Sequence, residues 1–294
     1  MKGCPTTQRH PIKGCPTTTD LLMRMLVLVG WITTASSIAL AQAPAKPFEP
    51  QSGQPGKDVV WVPTSPALVD LMMKVAGVTK DDFVMDLGSG DGRNIVAAAK
   101  LGANGLGVEF NPEMVALSRR LAAEAGVANT ARFVEADMYE ADISRASVLA
   151  LFLLPVNMNR LAPKFLNLAP GSRIVANTFG IDGWDPDLRA TVNPGSDCEA
   201  WCEALLWIVP APVHGTWEWP GGALVLEQSY QVVSGTLRSG DTTAALAQGK
   251  MRGNEISFIA GGLAYTGRLK GNVIEGTATT LSGTSVWRAT RAAR

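Results

Sequence analysis

Apolar runs of strand length alternate with segments of helical spacing between about residues 59 and 212. Apolar residues recur three and four positions apart in the intervening segments, as on the buried face of a helix. This alternation predicts an α/β domain in which crossover helices join parallel strands. The predicted strands are 83–87, 105–110, 131–135, 147–152 and 173–178, and the predicted helices begin at about Pro66, Asn94, Pro112 and Pro155.

The pattern changes at about Val213. Short runs that alternate apolar and polar residues replace the helical spacing, and turns such as Ser239-Gly240 and Gly253-Asn254 separate them. Such runs predict a small antiparallel all-β meander or barrel domain, since closure into a barrel would remove its exposed edges. The predicted strands are 216–219, 224–233, 244–248, 255–260, 265–269, 273–279 and 285–290.

The first 58 residues have the pattern of a leader and a linker. Arg24 precedes an uncharged run, and Ala39-Leu40-Ala41 offers a small-residue cleavage site. These features predict a secretory signal peptide within a leader of residues 1–43, with an uncleaved membrane anchor as the alternative. Residues 44–58 are rich in Pro, Gly and Gln and predict a linker, which leaves an α/β domain at 59–212 and a β domain at 213–294. We therefore expect an exported, periplasmic protein or one held at a membrane by its N-terminal segment.

A glycine corner follows the first predicted strand. Gly88, Gly90 and Gly92 stand two residues apart, where a dinucleotide fingerprint would have the spacing G-x-G-x-x-G. Asp86 and Asp91 flank this corner, and two carboxylates would repel a pyrophosphate but attract a ligand that carries a sulfonium and an ammonium. The alternative is a glycine turn with no ligand.

Three motifs together resemble a known family. They are Asp-Leu-Gly-Ser-Gly-Asp-Gly-Arg at 86–93, Glu-Phe-Asn-Pro at 109–112 and Leu-Leu-Pro at 153–155. This set resembles class I S-adenosylmethionine (SAM) methyltransferases, and within them the protein-lysine methyltransferases that act on the c-type subunit of ATP synthase and on the adenine nucleotide translocase. The resemblance covers about residues 61–210. It implies a Rossmann-like seven-stranded sheet whose last two strands, 188–192 and 204–210, form an antiparallel hairpin.

The resemblance also implies the residues that bind SAM. Glu109 would accept hydrogen bonds from the ribose hydroxyls, Asp137 would accept one from the adenine amine, and Met138 would pack on the ring. A solvated Glu109 and a Met138 that only fills the core are the alternatives. The full candidate set is Asp86, Gly88, Ser89, Gly90, Asp91, Gly92, Glu109, Asn111, Asp137 and Met138.

Four residues are candidates for the acceptor side of the site. Trp61, Leu154 and Pro155 would form an apolar mouth together with Leu153, and either Asn157 or a strand-end carbonyl would orient an incoming amine. A desolvated lysine beside a sulfonium loses its proton more readily, so no dedicated base is needed. For Trp61, a latch that packs on the sheet is the alternative.

Composition narrows the function. Lys plus Arg and Asp plus Glu both number 26, so no basic surface indicates nucleic acid. The only two histidines, His10 and His214, lie in the leader and at the domain junction, so we expect no metal site. Cys198 and Cys202 are either a disulfide or free thiols. We expect a SAM-dependent protein-lysine methyltransferase whose partner is a protein substrate, with a membrane protein as the favoured kind. The alternatives are a small-molecule N- or O-methyltransferase and an exported binding protein without catalysis.

Overall fold

The computed structural model describes residues 48–193, 195–280 and 283–293, which belong to one compact unit. The predicted signal peptide lies outside the described residues. Within those residues, no helix combines the length and the apolar character that a membrane crossing needs.

Seven strands form the first sheet. They are β1 (Phe83–Leu87), β2 (Asn104–Glu109), β3 (Ala131–Glu135), β4 (Val148–Leu151), β5 (Arg173–Asn177), β6 (Leu188–Thr191) and β7 (Glu203–Ile208). Their order is β3-β2-β1-β4-β5-β7-β6, and β7 runs antiparallel to both of its neighbours. The Rossmann-like seven-stranded sheet with its final hairpin is therefore confirmed. The chain reverses direction across the sheet between β1 and β4, which is where α/β sheets place their ligands.

Four helices cover this sheet: α1 (Pro66–Ala76), α2 (Arg93–Lys100), α3 (Pro112–Glu124) and α4 (Pro155–Phe165). Each of α1 and α3 begins with a proline behind a polar N-cap residue, Ser65 and Asn111. The Asn111 side-chain oxygen accepts from the Glu113 N–H at 2.9 Å, so the sequence itself sets where α3 begins.

The sheet separates two hydrophobic cores because successive side chains of a strand point to opposite faces. Val84 of β1 packs with residues of α1, α2 and α3, whereas Met85 and Leu87 pack with α4. This is the three-layer arrangement that the alternating pattern predicts. Every parallel strand therefore ends at one edge of the sheet, and the site is built there.

The C-terminal part of the chain, from Gly215 onward, forms a closed antiparallel barrel. Its strands are β8 (Gly215–Trp219), β9 (Gly222–Ser229), β10 (Val232–Ser239), β11 (Thr242–Ala245), β12 (Ala247–Arg252), β13 (Glu255–Ala260), β14 (Leu263–Lys270), β15 (Val273–Thr280) and β16 (Gly283–Arg291). Pairing of β16 with β8, of β8 with β9 and of β9 with β10 closes a ring of eight strands. β11 pairs with the second half of β10, beyond the part that pairs with β12. The predicted closure is confirmed.

Two predicted strands are each divided in the structure. The run 244–248 breaks at Leu246, between β11 and β12. The run 224–233 breaks at Tyr230-Gln231, where the sequence carries no glycine to mark a turn. Tyr230 takes a left-handed φ of 51° instead, and its ring stacks on Trp184 with centroids 4.9 Å apart. Packing of Tyr230 against the first domain thus favours a turn that the local sequence does not indicate.

A candidate cofactor and acceptor site

The glycine corner is a tight loop under a cover. Gly88, Gly90 and Gly92 have φ values of 74°, 55° and 82°, a conformation that side chains rarely adopt. A Cβ atom at Gly90 would lie 2.6 Å from the indole nitrogen of Trp61. Trp61 belongs to residues 48–64, which we call the strap. The strap lies over the corner, and its residues 54–58, placed in the predicted linker, line the cavity.

Asp86 lies at the bottom of this cavity at the end of β1. Its carboxylate is only 3% exposed and accepts from Asn94 Nδ2 at 3.0 Å. Burial raises the pKa of Asp86 to about 8, and the nearby charges of Glu109 and Asp91 contribute to this rise. A cationic ligand would offset this repulsion, because it favours the ionised carboxyl group.

Asp91 has a partner that the sequence did not indicate. Arg93 donates to its carboxylate from Nε at 2.9 Å and from a terminal nitrogen at 2.5 Å. The other terminal nitrogen of Arg93 donates to the backbone oxygen of Thr64. Asp91 therefore helps to hold the end of the strap, and its charge is largely offset within the protein. The cation attraction expected of the corner rests mainly on Asp86.

Glu109 ends β2 in a fixed orientation. One carboxylate oxygen accepts from the Gly90 N–H and the other from the Asn111 N–H, both at 2.9 Å. Each oxygen keeps a free lone pair, so the carboxylate can still accept from a pair of neighbouring hydroxyls. This geometry suits the predicted contact with a ribose.

Asp137 lies past the end of β3 and is bound by the strap. Lys57 Nζ stands 2.5 Å from Oδ2, and the Tyr139 N–H donates to Oδ1 at 2.8 Å. The hydrogen bond from Lys57 lowers the pKa of Asp137, and the same bond raises the pKa of Lys57. Met138 lines the cavity and also belongs to the core, so both of its predicted roles have a structural basis.

The structure brings most of the predicted site together. The cavity is lined by all the candidate cofactor residues except Gly92, which is the N-cap residue of α2. Trp61 and Leu154 also line it, whereas Pro155 and Asn157 begin α4 just outside its lining. The Asn157 amide donates to the Tyr139 hydroxyl at 2.7 Å, and the predicted contact with an amine stays a prediction.

Sequence reasoning missed Lys57 and three aromatic residues of the lining, Phe152, Phe179 and Trp201. Phe152 was predicted only as the last residue of a strand, and Trp201 only as a residue between two cysteines. Their shared position at the ends of β4, β5 and β7 depends on the sheet order.

Unpartnered polar atoms favour a ligand in this cavity. Ser89 Oγ and Asn94 Oδ1 are buried and have no hydrogen-bond partner among the described residues, and both residues line the cavity. Such atoms normally bind something. Together with one acid at the end of each of three strands, they fit a ligand with an amine, a ribose and an adenine.

The chain is similar in sequence to proteins of known function. The ANTKMT methyltransferase domain model matches residues 86–188. A protein-lysine N-methyltransferase of Saccharolobus islandicus (strain REY15A) is 39% identical over 141 residues, which cover 47% of this chain and 88% of that protein. The mouse lysine N-methyltransferase of the ATP synthase c-type subunit is 35% identical over 128 residues, which cover 43% of this chain and 51% of that protein. The chain thus spans about half the length of this mouse relative.

The protein in a crystal structure of an RNA methyltransferase from Salinibacter ruber in complex with S-adenosyl-L-homocysteine is 40% identical in sequence to this chain. The superposition covers 52% of this chain and 96% of the Salinibacter chain, with a TM-score of 0.47. The family model and the extent of the Saccharolobus match, taken with the SAM-type site, give one conclusion. The chain belongs to the ANTKMT methyltransferase domain family and is a class I SAM-dependent methyltransferase.

Proposed function

We propose that this protein transfers a methyl group from SAM to the side-chain amine of a lysine in another protein. The observation that carries the proposal is the composition of the cavity. Acidic strand ends suited to SAM adjoin a mouth made of Trp61, Leu154 and aromatic side chains. A lysine suits such a mouth because its stem is apolar and only its tip is polar. The Saccharolobus relative, a protein-lysine N-methyltransferase, supports the same reading.

In this reaction the protein chiefly has to position the two reactants and exclude water from the site. SAM supplies a methyl group that is already activated for displacement. The lysine nitrogen lone pair forms the new bond to the methyl carbon while the carbon–sulfur bond breaks, and the amine proton leaves to water. Leu153, which is 1% exposed, and Trp61 exclude water at the mouth. None of the described residues that line the cavity is a histidine, so the proposal assigns no dedicated base.

We further propose that the acceptor is a membrane protein. The names of two mouse relatives give the c-type subunit of ATP synthase and the adenine nucleotide translocase as their substrates. Apolar side chains at and beside the mouth support the idea, since Val60 and Val156 are 49% and 69% exposed. The predicted signal or anchor in the leader would bring the enzyme to a membrane.

Methyl transfer to cellular fractions tests the proposal. Membranes and soluble extract from cells that lack this protein would be incubated with methyl-labelled SAM and the purified full chain. We expect label in a protein lysine and more of it in the membrane fraction. Glu109→Gln should abolish most of the transfer. Glu135→Gln is the matched control, because Glu135 lies beside Glu109 in the pairing of β2 with β3. Glu135 is exposed and does not line the cavity, so its substitution should leave the transfer unchanged.

Label found only in small molecules would overturn the lysine proposal and favour a small-molecule methyltransferase. Label found only in RNA would overturn it too. Labelled lysine confined to soluble proteins would leave the lysine proposal intact and contradict the membrane acceptor.

A further inference from the structure

Three aromatic side chains form a wall on the acceptor side of the cavity. The Phe152 and Phe179 rings lie nearly parallel with centroids 6.0 Å apart, and the Trp201 ring lies 6.1 Å from Phe152. All three line the cavity that contains Asp86. We call Phe152, Phe179 and Trp201 the aromatic wall.

Sheet order brings the aromatic wall together. Leu151 of β4 pairs with Ala176 of β5, and Asn177 of β5 pairs with Ala204 of β7. Phe152 and Phe179 therefore follow neighbouring strands, and Trp201 precedes the antiparallel strand beside them. The wall stands at the end of β4 and beyond, whereas the SAM-type acids follow β1, β2 and β3. That separation places the wall where an acceptor approaches.

Trp201 adopts an unfavourable backbone conformation. Its φ of 54° is left-handed, which is unfavourable for a bulky residue, and 46% of the side chain is still exposed. Thr178, directly before Phe179, also has a left-handed φ of 56°. Strained residues of this kind cluster at ligand sites and persist only where surrounding structure holds them.

A short loop closed by a disulfide holds Trp201 in this conformation. A disulfide joins Cys198 to Cys202 with Cα atoms 5.8 Å apart, and Trp201 lies inside the closed loop. Before the loop, the Asp197 carboxylate accepts from the Ala67 N–H in the first turn of α1 at 3.2 Å. After it, the Cys202 carbonyl accepts from the Val192 N–H at 3.0 Å. The loop is thus fixed to the domain on both sides.

We propose that Trp201 is a substrate-recognition residue, positioned by the Cys198–Cys202 disulfide, and that the aromatic wall binds the lysine ammonium and its methylated forms. The proposal rests on the proposed lysine acceptor. Aromatic faces attract cations within about 6 Å, and quaternary ammonium groups are bound in this way. Reduction would break the Sγ–Sγ bond, take up two electrons and two protons from an added reductant and leave two thiols. The loop around Trp201 would then lose its covalent closure, and acceptor binding would weaken.

Binding of two matched probes tests the wall without any turnover. The first is N-acetyl-trimethyllysine methylamide, and the second is its neutral isostere with a tert-butyl group in place of the trimethylammonium. With the full chain saturated with S-adenosylhomocysteine, NMR titration should show the cation bound about three- to tenfold more tightly. Trp201→Ala should remove this preference, and Trp201→Phe should keep part of it. Leu188→Ala, an exposed apolar residue on neighbouring β6, should leave it unchanged. Equal binding of both probes by the unmodified protein would overturn the wall as a cation site.

Chemical reduction of the unmodified protein tests the positioning role of the disulfide without a substitution that could impair folding. A phosphine reductant should raise the acceptor KM of the unmodified protein, with membranes as acceptor, and leave the SAM KM unchanged. The Cys198→Ser/Cys202→Ser variant should start with the raised acceptor KM and show no response. An unchanged acceptor KM after complete reduction would overturn the positioning role. Failure of the unmodified protein to methylate any lysine would instead count against the proposed function, so the two failures are distinct.

Discussion

Lys57 of the strap and Asp137 past β3 form an ion pair at the wall of the cavity, with Nζ 2.5 Å from Oδ2. The Lys57 ammonium also lies 4.7 Å from the centre of the Phe110 ring. The strap is thereby fastened to the carboxylate that the family resemblance assigns to the adenine amine. We therefore expect cofactor exchange to involve this contact.

Loss of the ammonium should loosen the strap. Lys57→Met keeps the apolar stem and removes the charge, so we expect S-adenosylhomocysteine to dissociate several times faster in stopped-flow measurements. The difference should shrink in about 1 M salt, because exposed charges are screened there. Lys80→Met is the matched control, since Lys80 pairs with Asp81 at 2.7 Å far from the cavity lining. Slower dissociation would mean that Lys57 competes with the ligand for Asp137.

The raised pKa of Asp86 predicts a pH dependence of SAM binding. The carboxyl group of the free folded protein is protonated at neutral pH because burial raises its pKa to about 8. Its contribution to folding stability is present below the unfolded value of 3.8 and is lost as the pH rises through about 8. A bound ammonium favours the carboxylate, so SAM affinity should rise over the same range with release of a proton.

Asp86→Asn separates this effect from the ligand's own titration. The variant should bind SAM more weakly above about pH 8 and lose the part of the pH dependence that belongs to Asp86. Calorimetry in buffers of different ionisation enthalpy measures both affinity and proton release. The same pH profile for variant and unmodified protein would show that Asp86 does not contact the ligand cation.

The carboxylate of Glu109 should contribute strongly to SAM affinity. Glu109→Gln removes charge-assisted acceptors for two ribose hydroxyls, which should cost about 1.5–3 kcal/mol of binding free energy in calorimetry. The new amide NH2 would also face the N–H of either Gly90 or Asn111, which now donates to a carboxylate oxygen, so the melting temperature should fall as well. Glu135→Gln, on the neighbouring strand, should bind as the unmodified protein does. Equal affinities for both variants would remove Glu109 from the cofactor site.

Asp187 should matter for the stability of the junction between sheet and barrel. Its side chain is 4% exposed, lies 2.8 Å from Lys250 Nζ of β12 and accepts from the Ile208 N–H at 2.8 Å. Asp187→Ala would leave that N–H without its acceptor and should cost about 1–3 kcal/mol of unfolding free energy in urea. Asp185→Ala changes an exposed side chain two residues away and should cost much less. Equal losses would show that neither the hydrogen bond from Ile208 nor the ion pair with Lys250 stabilises the junction.

The barrel should fold without the rest of the chain if its start is chosen correctly. Ala211 and Val213 belong to the barrel core, and Gln228 bonds the backbone of both at 3.1 and 2.7 Å. A fragment from residue 210 should therefore unfold cooperatively, and one from residue 214 should be clearly less stable. A fragment from 210 with no cooperative transition would contradict an autonomous β domain.

Local signals explain what could be predicted from sequence. Asp86, Glu109 and Asp137 each follow a recognisable strand, and parallel strands end at a common edge, so their meeting could be foreseen. The partners of these acids could not. Lys57 lies 80 residues before Asp137 and reaches it only because the strap folds back over the cavity.

The aromatic wall could not be predicted from the spacing of residues along the sequence. Trp201 meets Phe152 because β7 inserts beside β5 and because the two cysteines pair, which the sequence left open. The turn at Tyr230 was missed for the same kind of reason, since contact with Trp184 holds it in a conformation that glycine usually supplies.

Identification of the methylated residue is the decisive test of methyl transfer from SAM to a lysine side chain. Acceptor protein labelled by the purified chain would be hydrolysed and its amino acids separated by mass. We predict methylated lysine carrying the label, in an amount greatly reduced for Glu109→Gln. Equal label with both proteins would contradict the cofactor role of Glu109, and label in any residue other than lysine would contradict lysine methylation itself.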